Sequence, residues 1–148
     1  MRNDKKVEYQ YWGTTSRKAK QNNISGPTTT SLGKNEKGDV VIGMFVEDKM
    51  GSVLHETRHG GQIARREIDP ITFQGYGIWA EIDAYRAQYS WEGKLEYLVT
   101  PTENDILKTI QDPSYIPGTR IIKRINDINE SLIHSIVDPG YEKIYNFK

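Results

Sequence analysis

Val53-Leu54-His55-Glu56-Thr57-Arg58-His59-Gly60-Gly61-Gln62 carries the pattern His-Glu-x-x-His and, with it, two of the chain's three histidines. On a helix, residues four apart lie one turn above each other on one face, so the rings of His55 and His59 converge. Two neutral imidazoles so placed can fill two corners of a tetrahedral Zn²⁺ site. Glu56 is rotated about a quarter turn from His55, beside the metal rather than on it. A carboxylate there can take a proton from a water on the metal, the general-base role in metal-assisted hydrolysis. The pattern fixes only three positions and needs a third ligand. Without one, His55 and His59 read as a pair of core histidines with satisfied hydrogen bonds.

The third ligand is sought downstream, where Gly77-Ile78-Trp79-Ala80-Glu81-Ile82-Asp83-Ala84-Tyr85-Arg86-Ala87-Gln88-Tyr89 has helical periodicity. Ile78, Ile82, Tyr85 and Tyr89 form its apolar stripe. Glu81 projects from the edge of that stripe, and a buried carboxylate requires a partner such as a metal. Asp83 points toward the side of Trp79, Ala80 and Ala87. It is the alternative ligand, or an outer acceptor that orients a histidine ring. Two histidines and one glutamate leave a coordination position open, the arrangement of catalytic rather than structural zinc.

A HExxH helix followed by a glutamate on a separate helix resembles the gluzincin metallopeptidases, the thermolysin-like arrangement. The strings LHETRHGGQIA and EIDAYRAQYSW are similar to the metallopeptidase-like domain that closes some RHS-repeat (YD-repeat) proteins. The likeness is strongest over residues 38 to 93. It implies an α+β, zincin-like domain with a few-stranded, mostly antiparallel sheet packed on an active-site helix and a glutamate-bearing helix. It also implies one Zn²⁺ per chain and a peptide or protein substrate. By the same resemblance the domain is an effector or toxin piece of a larger secreted or surface protein, with a protein inhibitor of the immunity type as a further partner. Thermolysin-like enzymes have an aspartate four residues after the ligand glutamate. Here that position is Tyr85, so the carboxylate behind the metal ligands must come from elsewhere, Asp83 being one source.

The 148 residues correspond to a single domain, 1–148, with one core. Twenty basic and twenty acidic residues cancel, which argues against nucleic acid or an anionic membrane as partner. With no cysteine, neither disulfides nor thiolate ligands are available. No apolar run reaches transmembrane length, and the first twenty residues are too polar for a signal peptide. Export would use a longer parent chain or a dedicated secretion system.

Before the histidines, Val7 to Trp12 alternates as a strand, Arg17 to Gln21 makes a short exposed helix, and Thr28 to Leu32 a short strand. Asp39 to Val46 is a buried strand that leads into the HExxH helix, expected from Asp48 to Arg65. By the zincin resemblance that strand borders the substrate cleft and can pair with peptide backbone. Val53, Leu54, Thr57, Gly61 and Ala64 are expected to pack on the sheet, away from the histidines. Gly60-Gly61 marks a close approach of another backbone or an early helix end. The loop from Glu67 to Gly77 presents Tyr76, either an ordinary loop aromatic or a donor to an oxyanion. Leu95 to Val99 is ambiguous. Thr102 caps a helix that ends before Asp112-Pro113. Ile121, Ile125, Ile128, Leu132 and Ile136 predict a helix over about 119–137, stopped by Asp138-Pro139-Gly140, with a closing strand over 141–147. On that helix His134 shares a face with Asp127, Glu130 and Ser131. It reads as exposed surface, the alternative being a cation for an oxyanion.

Two functions stand beside each other on these residues. One is a zinc-dependent hydrolase, a metallopeptidase with Glu56 as base. The other is a metal-binding, catalytically silent interaction module of a surface protein, in which the metal only stabilises the fold.

Overall fold

The computed structural model describes residues 6–98, 102–115 and 118–136. Among these residues, five α-helices and two small sheets make an α+β fold. Strand β1 (Val7–Gly13) leads through helix α1 (Arg17–Gln21) to β2 (Thr28–Lys34) and β3 (Val40–Val46). The sheet order is β1-β3-β2, with β3 parallel to β1 and antiparallel to β2. Apolar residues run unbroken along β3 because it is central and buried on both faces. Its two neighbours already occupy its backbone groups, so the expectation that this strand pairs with a substrate does not hold. Among the described residues, the edge strand of this sheet beside the cleft is β2.

From β3 the chain enters α2 (Met50–Ala64), which crosses the sheet, and a loop then returns it to α3 (Ile78–Glu92). The buried face of α2 is Gly51, His55, Glu56, His59, Gly60, Gln62 and Ile63. The expected burial of Val53, Leu54, Thr57, Gly61 and Ala64 against the sheet is therefore not met: Thr57 and Ala64 are exposed and the other three half-buried, although Thr57 does meet the Tyr11 hydroxyl of β1 at 2.5 Å. The helix turns its polar histidine face inward because α3 supplies partners for it there. The expected approach of another backbone is not what the glycines serve: at Gly60 it is a side chain that comes close, a Cβ there lying 2.9 Å from Met44 Sδ on β3. The helix continues past both glycines to Ala64.

Helix α3 stands between two apolar clusters. On one side Val40, Ile42, Ile63, Ile68 and Ala80 join sheet, α2 and loop. On the other, Ile82, Tyr85 and Tyr89 pack on Leu95, Ile128 and Leu132. This second cluster is built from β4 (Leu95–Leu98), antiparallel to β5 (Thr119–Ile122), and from α5 (Glu130–Ile136). Helix α4 (Glu103–Gln111) begins with the expected Thr102 capping box and ends at Asp112. Its Asp105 accepts from Tyr115 Oη at 2.5 Å and from Arg120 at 3.1 Å. The helix expected over 119–137 is instead β5, a 3₁₀ turn at Ile125–Asp127 and the short α5. Pairing of Leu95 with Ile122 takes the first residues for a sheet, where β-branched side chains fit well. The proposed stop at 138–140 and the strand at 141–147 lie outside the described residues. No helix among those described is long and apolar enough to cross a membrane.

Candidate metal centre

His55 and His59 lie on one face of α2, their ring centroids 5.0 Å apart. Both point their Nε2 atoms at Glu81 on α3: His55 Nε2 lies 3.2 Å from Oε2 and His59 Nε2 2.9 Å from Oε1. All three side chains are buried. Ligands on neighbouring corners of a zinc tetrahedron with bonds of about 2.0–2.1 Å stand roughly 3.3 Å apart. The three side chains, with ligand atoms all within 4.8 Å of one another, could hold a metal ion. Of the two candidate carboxylates, Glu81 and Asp83, it is Glu81 that faces the histidines. Asp83 turns to Arg58 Nε at 3.2 Å and Gln62 Nε2 at 3.1 Å.

Each imidazole is held from behind by an amide oxygen. His59 Nδ1 lies 2.9 Å from Gln62 Oε1 and His55 Nδ1 lies 3.2 Å from Gln88 Oε1. The expectation of a carboxylate behind the rings is not met directly: the partners are these two amides, and Asp83 reaches His59 through Gln62. At the departing position, Tyr85 packs edge-on against the His55 ring at 4.4 Å. Neither glutamine is among the residues singled out from the sequence. Gln62 had a local signal, three residues after His59 on the same face. Gln88 is two turns after Glu81.

Glu56 lies beside the cluster, facing β2, where Thr29 donates from its hydroxyl to Glu56 Oε2 at 2.5 Å. Thr29 sits 27 residues away on another element, and nothing in the sequence near Glu56 points to it. Burial raises the Glu56 carboxyl above its ordinary range, partly offset by His55, His59 and Thr29. That is the direction expected of a carboxylate made a stronger base. Burial alone would push His59 down, but the Glu81 carboxylate outweighs it and raises the ring to about 9. Burial likewise opposes ionisation of Glu81, yet His59 and His55 hold it well below the usual carboxylate range.

Tyr76 is half-buried at the edge of the cluster and donates its hydroxyl to Glu81 Oε1. It is thus neither an ordinary loop aromatic nor, as placed, a free oxyanion donor. His134 is on α5, exposed, 4.0 Å from Glu130 Oε1, and does not line the cleft. A cleft of about 580 Å³ opens over the centre. Thr28 and Thr29 of the β2 edge form part of its wall, Ile63, Ile68, Phe73 and Tyr76 another, and Glu47, Lys49, Glu92 and Lys94 charge its rim. Comparison with protein-family models, curated proteins and solved structures finds no match.

Proposed function

We propose that this chain is a zinc-dependent hydrolase, a peptidase of the gluzincin type, with His55, His59 and Glu81 as the metal-holding residues. The observation that carries the reading is the convergence of two Nε2 atoms from α2 on one carboxylate from α3, buried at the floor of an open cleft. Zinc at such a site polarises a scissile carbonyl and makes water acidic near neutral pH. Glu56 takes the proton of the attacking water and delivers it to the leaving amine. Thr29 holds one oxygen of that carboxylate toward β2, leaving the other for the proton. Tyr76 steadies Glu81, and the β2 edge offers backbone groups to an extended peptide. A place at the end of a larger secreted or surface protein, acting as an effector and met by a protein inhibitor, belongs to the same proposal.

Elemental analysis of protein made in zinc-supplemented medium is expected to give about one zinc per chain, with hydrolysis of a quenched-fluorescence peptide library that ceases on chelation. Zinc bound without turnover by any peptide would favour the silent interaction module. No zinc bound by the parent would leave a polar core cluster and end the metal reading.

A further inference from the structure

Gln62 is fully buried, and all of its side-chain groups are committed. Its Nε2 donates to the Ala80 carbonyl at 3.0 Å and to Asp83 Oδ2 at 3.1 Å, both on α3. Its Oε1 faces His59 Nδ1 at 2.9 Å. A flipped amide would set an oxygen against two acceptors, so one orientation survives. Facing that oxygen, His59 Nδ1 must carry a hydrogen. The proton a metal displaces then has to come from Nε2, the atom aimed at Glu81.

We infer that Gln62 is the positioning residue of the centre, through which Ala80 and Asp83 on α3 dictate which nitrogen of His59 is offered to a ligand. Asp83 acts on the centre through this amide, and Arg58 holds Asp83 from the surface side at 3.2 Å. The two histidines are held unequally. Among the described residues Gln88 makes one side-chain hydrogen bond, to His55, and it is half-buried in the cleft wall. His59 is therefore the fixed ligand and His55 the adjustable one. The zinc arm of this inference rests on the proposed metal site, whereas the hydrogen-bond arm does not.

The test compares the parent with Gln62→Met and Gln88→Met. Proton–nitrogen spectra of the metal-free parent are expected to show a protected Nδ1–H on His59, absent in Gln62→Met. In zinc competition Gln62→Met should bind about 10–100-fold more weakly, the usual loss for an orienting partner. Gln88→Met should lose less. A Gln62→Met protein that binds zinc as tightly as the parent overturns the proposal, and so does one that loses affinity while its His59 Nδ1–H stays protected, the outcome of a merely structural tie between α2 and α3. A parent without the protected Nδ1–H also overturns it, whether or not the variants fold. A parent that shows the signal but binds no zinc sinks the metal reading and leaves Gln62 in its positioning role.

Discussion

Glu56 and Glu81 are both buried carboxylates within one cluster, and their environments push them in opposite directions. Glu81 is held ionised by the histidines, while for Glu56 burial outweighs what His55, His59 and the Thr29 hydroxyl offer. Because folding raises the Glu56 carboxyl, its ionised form costs stability at neutral pH. Glu56→Gln is therefore expected to keep zinc, lower turnover by about 10²–10⁴-fold, and melt no lower than the parent. Matched zinc titrations and calorimetry check both halves, and undiminished turnover would remove Glu56 from the chemistry. For His59 the sign is the reverse of that for Glu56. Its folded value of about 9 lies above the ordinary 6.5, so its contribution is fully present below about pH 6.5 and lost as pH rises through about 9. Metal-free protein should lose stability across that window. Zinc binding at pH 7 should release about one proton from this ring, measurable by calorimetry in buffers of different ionisation enthalpy. Glu81→Ala should weaken zinc binding more than Asp83→Ala, because Asp83 reaches the centre only through Gln62.

The elements around the centre use glycine for different ends. At Gly75 φ is +94°, and a Cβ would lie 2.1 Å from the backbone oxygen of Glu67. That turn positions Tyr76 against Glu81. Gly61 is helical, and a Cβ there would meet only the Arg65 guanidinium, at 3.2 Å, the movable end of a long side chain. Alanine also favours a helix by about 1 kcal/mol over glycine. Gly61→Ala should therefore stabilise by up to about 1 kcal/mol, whereas Gly75→Ala should cost roughly 1–3 kcal/mol through backbone strain. Denaturant titration of the two variants decides it, and equal midpoints would contradict the described loop.

Across the whole molecule, the residues that could hold a metal come from two helices joined by a loop of thirteen residues, Arg65 to Gly77. A ligand that binds only the assembled pair stabilises the fold by mass action. Free zinc at about 100 times its dissociation constant is worth about 2.7 kcal/mol. In a domain of this size that is a rise in Tm of roughly 5–10 °C, reversed by chelator. An unchanged melting curve would show that zinc does not enter the folded state.

Local spacing determined a great deal here. The His55–His59 pair, the choice of Glu81 over Asp83 to face it, the Thr102 cap and the early strands all follow from periods of 3.6 and 2 and from short-range hydrogen bonding. Each depends on residues within a turn or two of one another. Where distant segments compete for the same residues, the sequence was silent or misleading. Ile121 and Ile122 fit a helical stripe, yet pairing with β4 made them a strand. The face of α2 that turns inward was decided by the acceptors on α3. Thr29 and Gln88 became partners of Glu56 and His55 across 27 and 33 residues of chain. Hydrogen bonds of that kind have no period, because the contact is set by how two elements pack rather than by the residues between them.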